Sequence, residues 1–186
     1  MQYGYAGVVA TVLAAWGLSA CATLSEGECR TANWYEIGRA DGASGQPRAR
    51  LFDHADACAQ YGIQPNADVY YEGRDDGLAR YCTPENGFRE GRQGNSYQGV
   101  CPPGAEAAFL RAFNDGAAIH EVEAEIARVE RQIDTLENRI ASDAVDDDDR
   151  TDLRGEIRAL DREYRRLNRE LVRVERDAAI DGAWLR

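Results

Sequence analysis

The clearest hydrophobic pattern lies in the C-terminal half of the chain, where apolar residues recur at alternating spacings of three and four. One series covers 119–140 and a second covers 153–178. Such spacing places the apolar side chains on one helix face with charged residues elsewhere, as in a coiled coil. The acidic stretch 143–150 between the two series has no such pattern. We therefore predict an antiparallel coiled-coil helical hairpin over 105–186, with its turn at about 142–152.

Capping and stop signals divide the preceding part of the chain into shorter helices. Asn33, with Glu36 three residues later, resembles a capping box that opens a helix. A second helix is predicted over about 48–61, followed by a glycine suited to a helix end, and a third over about 67–81. The fold class predicted from these patterns is mostly α, with a small helical domain over 29–104 followed by the hairpin.

The first 20 residues form a separate segment without a charged side chain, and they contain an apolar run at 8–18. This run is shorter than the roughly 20 residues that a transmembrane helix needs, but it suits the apolar region of a secretory signal. It closes on LSAC, which resembles the bacterial lipobox, whose cysteine is acylated and becomes the mature N-terminus. We predict a lipoprotein signal peptide over 1–20, lipidation of Cys21 and a lipid-anchored linker over 21–28. A buried N-terminal helix with an ordinary cysteine is the alternative.

Lipidation at Cys21 would anchor the chain to a membrane without a transmembrane helix, since each buried acyl CH₂ contributes about 0.8 kcal/mol. The next residue is Ala22 rather than aspartate. By resemblance to enterobacterial sorting rules, this favours the outer membrane over the inner one. We therefore expect an outer-membrane lipoprotein that faces the periplasm, with the membrane as a partner through its lipid.

Four cysteines remain after Cys21, an even number that suits two disulfides in an exported protein. If the first two helices of the domain pack antiparallel, Cys29 lies beside Cys58. Cys58 and Cys82 lie at opposite ends of the second and third helices if these are also antiparallel, roughly 15–20 Å apart, beyond the Cα separation of about 7 Å that a disulfide allows. We therefore favour the pairs Cys29–Cys58 and Cys82–Cys101. Zinc is the alternative, but spacings of 29, 24 and 19 residues lack the close cysteine pairs of structural zinc sites.

An aromatic residue followed by two glycines about four positions apart recurs between these cysteines. The glycine pairs are Gly38 and Gly42, Gly73 and Gly77, and Gly87 and Gly91. Positions i and i+4 share a helix face, and glycine costs about 1 kcal/mol relative to alanine inside a helix, so its repetition indicates a packing demand. We favour close helix–helix contact. One alternative is short β-hairpin repeats, and another is a groove for a glycan or peptide, lined by Trp34, Tyr35, Tyr71 and Tyr97.

The order of these motifs resembles that of a known family. The matching residues are Cys29, Trp34-Tyr35-x-x-Gly38-x-x-Asp41-Gly42, His54-x-x-x-Cys58, Gly73-x-x-x-Gly77-Leu78-x-x-Tyr81-Cys82-Thr83-Pro84 and Gly87-x-x-x-Gly91-x-x-Gly94-x-x-Tyr97-x-Gly99-x-Cys101-Pro102. Over about 28–120 they resemble the proteobacterial lipoprotein family catalogued as domain of unknown function 2799. The resemblance implies an envelope lipoprotein. It implies no established activity and offers no catalytic residues.

The charge of the chain narrows the classes of partner. The 33 acidic and 22 basic residues give a net charge of −11, and every basic residue is arginine. This balance argues against nucleic acid as a partner and against electrostatic docking on anionic lipid. The charge is uneven, however: residues 105–141 carry 8 acids and 4 arginines (net −4), whereas 153–181 carry 7 acids and 8 arginines (net +1).

The acidic run 146–149 is a candidate for calcium binding. It lacks the alternating ligands and the closing glutamate of an EF-hand loop. We favour a solvated turn, with Asp149 or Thr151 as the cap of the following helix. No metal and no cofactor is predicted.

Candidates for catalysis are few. His54 lies four residues before Cys58 and would form a base and nucleophile pair if that thiol were free, but a disulfide beside a packed histidine is favoured. Asp41 and Asp76 follow the aromatic residues equivalently and are interpreted as solvated helix acids. No lipase, zincin or P-loop motif is present.

We therefore expect a protein that is not an enzyme, with a structural, scaffold or protein-interaction role at the periplasmic face of the outer membrane. The apolar series at 119–140 and 153–178 is interpreted either as satisfied within the hairpin itself or as completed by a helix from an envelope protein or a second copy of the chain. The alternative is a cell-wall glycan-binding protein or an envelope enzyme that uses the aromatic–glycine groove.

Overall fold

The computed structural model describes residues 23–142 and 145–182, so the predicted signal peptide and the predicted lipidation site Cys21 lie outside the described residues. The described chain forms seven helices and no strand, which confirms the mostly helical class and overturns the β-hairpin alternative. The helices are α1 (Glu26–Arg30), α2 (Trp34–Ala43), α3 (Arg50–Ala59), α4 (Ala67–Tyr81), α5 (Pro84–Arg92), α6 (Pro103–Ile140) and α7 (Asp147–Asp181).

Side-chain caps set the first helix boundaries. The Asn33 side chain accepts a hydrogen bond from the Glu36 amide at the start of α2, but the Glu36 carboxylate pairs with Arg39 instead of completing a capping box. A complete capping box lies upstream, where Ser25 and Glu28 satisfy each other's backbone amides and open α1. Each such cap satisfies amides that the first helical turn leaves unpaired.

Within the predicted linker, Leu24 is packed against the domain, whereas residues 25–28 are exposed. Leu24 is 9% exposed and lies in a cluster with the Cys29–Cys58 disulfide and Trp34. Burial of a leucine side chain contributes about 1.5–3 kcal/mol, which explains why this short segment is fixed against the domain. The described fold therefore begins at Thr23, two residues after the predicted anchor.

The backbones of α2 and α4 touch through their glycines. A Cβ atom on Gly38 would lie 2.0 Å from the carbonyl oxygen of Tyr70, and one on Gly73 would lie 2.0 Å from that of Tyr35. The second glycine of each pair repeats the contact one turn further along. Because the contacts advance in the same direction along both helices, α2 and α4 run parallel.

This parallel pair corrects the predicted packing of the first two helices. We expected α2 to pack antiparallel against the next helix, but its main neighbour is α4, and α3 is the crossover between them. The reason is steric. Both α2 and α4 carry a stripe of glycines that lets their backbones touch, whereas α3 contains no glycine.

A second pair, α5 and α6, repeats this design. A Cβ atom on Gly91 would lie 2.1 Å from the carbonyl oxygen of Phe113, and one on Gly116 would lie 2.3 Å from that of Phe88. These helices also run parallel. The small residue one turn before Gly116 is Ala112, which is fully buried. Close helix–helix contact, the favoured interpretation of the glycine pattern, is therefore confirmed for both pairs.

Two disulfides brace the helices. Cys29 bonds Cys58 with a Cα separation of 5.6 Å, and Cys82 bonds Cys101 with a separation of 5.5 Å. These are the pairings favoured from the sequence, and they overturn a zinc site at the four sulfurs. Cys82 and Cys101 each stand two residues before a helix of the α5–α6 pair, so their bond holds the two helix starts together.

Helix α6 continues beyond the second pair and packs antiparallel against α7. Val129 and Leu167 are buried here, and Arg128 reaches Glu163 across the two helices. The first arm begins at Pro103 instead of 105, and its N-terminal part belongs to the helix pair, so the predicted boundary at 104 divides one continuous helix.

The turn of the hairpin is shorter than predicted, because α6 ends at Ile140 and α7 begins at Asp147. The acidic run is the start of a helix and not a turn: Asp146 caps it by accepting a hydrogen bond from the Asp149 amide. Acidic side chains in a first helical turn interact favourably with the helix dipole, which explains why four consecutive acids are tolerated there.

Candidate functional site

A chain of hydrogen bonds runs through the buried imidazole of His54, which is 3% exposed. Its Nδ1 atom lies 2.8 Å from Thr23 Oγ1, and its Nε2 atom lies 2.8 Å from Asp41 Oδ2. The Tyr70 hydroxyl donates to the same Asp41 oxygen at 2.6 Å. We call these four residues the polar chain; it joins the N-terminal segment, α2, α3 and α4.

The electrostatics of the polar chain fix its hydrogen-bond directions. Burial raises the pKa of the Asp41 carboxyl, but the hydrogen bonds from His54 and Tyr70 outweigh it and hold that pKa below its ordinary value. Asp41 is therefore ionised at neutral pH and can only accept hydrogen bonds. His54 Nε2 must then carry the hydrogen that it donates to Asp41, and Nδ1 is hydrogen-bonded to the Thr23 hydroxyl. Burial and the bond to Asp41 raise the pKa of the Tyr70 hydroxyl.

A sequence repeat builds the centre of this site. The pattern Tyr-x-x-Gly-Arg-x-Asp-Gly occurs at 35–42 and again at 70–77. Parallel packing brings each tyrosine to the aspartate of the other helix, as Tyr70 to Asp41 and, at 2.5 Å, Tyr35 to Asp76. The second pair is exposed, whereas the first is covered by His54 and Thr23.

The interpretation of both aspartates as solvated helix acids is therefore wrong for Asp41, and Asp76 accepts a hydrogen bond from Tyr35. The tyrosine–aspartate partnership was missed, although the repeat itself is a signal that could have predicted it. Thr23 had no such signal, because it lies 31 residues from His54 in the sequence.

A hydroxyl, an imidazole and a carboxylate in series are the components that activate a nucleophile in many enzymes. Here Thr23 contacts Nδ1 and Asp41 contacts Nε2. Thr23 is partly exposed and His54 is buried. The same network also stabilises the fold, because it satisfies every polar atom of the buried ring.

The four aromatic residues predicted to line a groove lie in separate environments. Trp34 packs beside the Cys29–Cys58 disulfide, and Tyr97 packs in the cluster around the other disulfide. Tyr35 bonds a surface aspartate, and Tyr71 lies under the guanidinium of Arg48 at 3.6 Å. The glycine stripes between them are filled by the backbone of the neighbouring helix, so no open groove follows those stripes.

The described residues contain no group of three or more His, Cys, Asp or Glu side chains placed to hold a metal ion. None of the described helices combines the length and apolar character that crossing a membrane requires.

A second candidate surface lies near the tip of the hairpin, where α6 and α7 form a cleft of about 440 Å³. We call it the distal groove. Leu136 and Leu160 belong to the apolar series of the two helices but are only half-buried there. The lining residues are Gln132, Thr135, Leu136, Glu156, Ala159 and Leu160.

The described chain is thus a mostly helical, disulfide-braced protein, with two glycine-packed helix pairs and a long hairpin. Residues 33–118 match the family model described as "Protein of unknown function (DUF2799)". The match runs from the cap of α2 to just after Gly116, so it contains all four glycine-packed segments. It supports the presence of this domain of unknown function in the chain. Searches of curated proteins and of solved structures each found no significant match.

Proposed function

We propose that this protein is a non-catalytic, lipid-anchored protein of the cell envelope, with a structural or scaffold role at the periplasmic face of the outer membrane. The distal groove is the observation that supports this proposal best, because it leaves part of the apolar series of a long hairpin without a covering helix. A binding partner for this series is a helix of an envelope protein or of a second copy.

The distal groove is a local opening in the apolar series of the hairpin, and this supports a binding role for it. On α7, Leu153 and Leu167 are 4% and 3% exposed on either side of the groove. Between them Leu160, like Leu136 on the facing helix, is only half-buried although it continues the same series. Apolar positions of a coiled coil are stabilised when knobs from a facing helix cover them, so a further helix in the distal groove would complete the seam.

Two features support export and anchoring. The apolar segment before Cys21 and its LSAC ending resemble a lipoprotein signal, and disulfides such as Cys29–Cys58 and Cys82–Cys101 persist in oxidising compartments. The outer membrane is favoured by Ala22, through the resemblance to enterobacterial sorting rules.

Photocrosslinking in intact cells tests the scaffold role. A photoreactive amino acid replaces Leu160 in the distal groove or, as the control, the exposed Asn138 on α6. We expect a defined covalent adduct from position 160 and none from position 138. Absence of an adduct at position 160, or equal adducts from both positions, would count against the distal groove as a binding surface.

The polar chain favours a second candidate, an envelope enzyme in which Thr23 is the nucleophile and His54 the base. A broad electrophilic probe for activated hydroxyls, such as a fluorophosphonate, tests it. The enzyme hypothesis expects a mass-spectrometric adduct on Thr23 that is retained in Thr23→Ser and lost in Thr23→Val. A native protein that stays unlabelled, or that labels equally at Thr31, would remove this candidate.

A further inference from the structure

The outward surface of α7 is lined with arginine. Eight exposed arginines lie within about 33 Å of helix at 1.5 Å per residue. At about 100° per residue they fall in an arc of about 120° opposite the apolar series. We call this surface the arginine face, and its members are Arg154, Arg158, Arg162, Arg165, Arg166, Arg169, Arg173 and Arg176.

The arginine face is only partly neutralised by its own helix. Between residues 154 and 176, the acids of α7 lie outside this arc. Among the described residues, two of the eight arginines, Arg166 and Arg173, form ion pairs, both with Glu170. The other six arginines have no ion pair or hydrogen bond to any residue that the structure describes. The chain of net charge −11 therefore concentrates positive charge on one straight surface.

Two large aliphatic side chains point outward from the same arc. Val172 is 53% exposed and Ile180 is 70% exposed. Single exposed aliphatic residues are common on protein surfaces, but these two share the arc of the arginines, so aliphatic groups and positive charge face the same side of α7. At a membrane interface, aliphatic groups enter the acyl boundary while guanidinium groups stay at the headgroups.

We propose that the arginine face binds the surface of an anionic phospholipid bilayer. Guanidinium groups pair with phosphate oxygens through two parallel hydrogen bonds. The net charge of the chain argues against such docking, but charges more than about 10 Å away are screened at moderate salt, so the local surface decides. Nucleic acid fits less well, because the arginine face carries exposed aliphatic residues and no aromatic ring for base stacking. The proposal does not require a lipid at Cys21.

Vesicle co-sedimentation of the full chain tests this binding. Vesicles of phosphatidylcholine alone are compared with vesicles that also contain phosphatidylglycerol. Any apolar attachment by the N-terminal segment contributes to both kinds of vesicle, so the readout is the ratio of the two partition coefficients. We expect anionic vesicles to bind at least about tenfold more protein at low salt, with the preference lost at high salt.

A matched pair of variants assigns the preference to α7. One variant carries Arg158→Gln, Arg162→Gln, Arg165→Gln and Arg169→Gln; the other carries the same change at the exposed Arg80, Arg111, Arg131 and Arg139. Both lower the charge by four, and circular dichroism checks that both fold. We expect only the α7 variant to lose the anionic preference. Equal binding to both vesicle types by the native chain, equal losses in the two variants, or displacement from vesicles by equimolar duplex DNA would overturn the proposal.

Discussion

Glycines, whose side chain is a single hydrogen atom, allow α2 and α4 to approach each other closely. At Gly73 the space of a methyl group is already occupied by the carbonyl of Tyr35, only 2.0 Å from where a Cβ atom would stand. The obstacle is backbone rather than a flexible side chain, so it cannot move without shifting the helix. The polar chain depends on this distance, because it sets how far Tyr70 stands from Asp41.

The substitution Gly73→Ala should therefore separate the two helices and lower the free energy of unfolding by about 3 kcal/mol. Gly27→Ala is the matched control, because a Cβ atom at that helical position meets nothing within 4 Å. We expect the control to be neutral or stabilising by roughly 0.5–1 kcal/mol. Urea unfolding followed by circular dichroism measures both; similar destabilisation by the two variants would contradict the glycine contact.

The carboxylate of Asp41 should make the stability of the fold depend on pH. Its pKa is lower in the folded protein than in the unfolded chain, so its contribution is complete above the ordinary carboxyl pKa of about 3.9 and is lost as the pH falls through the folded value. The difference in unfolding free energy between the native protein and Asp41→Asn should thus be largest near neutral pH and shrink in acid. Asp76→Asn, at the exposed counterpart of this bond, is the control and should show a smaller difference at neutral pH. A pH-independent difference for Asp41→Asn would show that the carboxylate charge plays no part.

At the scale of the element, the sequence predicts where helices form better than it predicts which helices pack against each other. The two long helices α6 and α7 follow from spacing alone, because alternating steps of three and four residues can bury one face only in a helix. The direction of α2 relative to α4 does not follow from spacing, since it depends on which glycine stripes meet. The segment of α6 that pairs with α5 was overlooked because Ala112 stands where the other helices have glycine.

Burial along α7 provides a test at this scale. Leu167 is 3% exposed against α6, whereas the nearby Val172 is 53% exposed. Leu167→Ala should lower the free energy of unfolding by about 2–4 kcal/mol through the lost contacts and the cavity. Val172→Ala should change it by less than about 0.5 kcal/mol. Thermal and urea unfolding measure the stability of the two variants. Equal destabilisation by Leu167→Ala and Val172→Ala would contradict the packing of α7 on α6.

At the scale of the whole molecule, the polar chain could not be predicted from the sequence because it depends on contacts between residues that are far apart in the chain. The polar chain joins residues that are 13 to 31 positions apart, so no local motif announces it. The arginines of α7 recur in the sequence with a helical periodicity. The net charge of the whole chain is negative, however, and by itself does not indicate a basic surface. Together these features describe a molecule whose described fold begins two residues after the predicted anchor and whose helix α7 carries a basic surface.

The proposed function requires that the protein leaves the cytoplasm and is held to a membrane by lipid on Cys21. Intact-mass and peptide mass spectrometry of the protein from its own membrane fraction tests it most directly. We predict a mature chain that begins at Cys21, carries a diacylglyceryl group on the sulfur and keeps its other four cysteines oxidised. A chain with an uncleaved N-terminus, no fatty acid at Cys21 and four free thiols would contradict the claim.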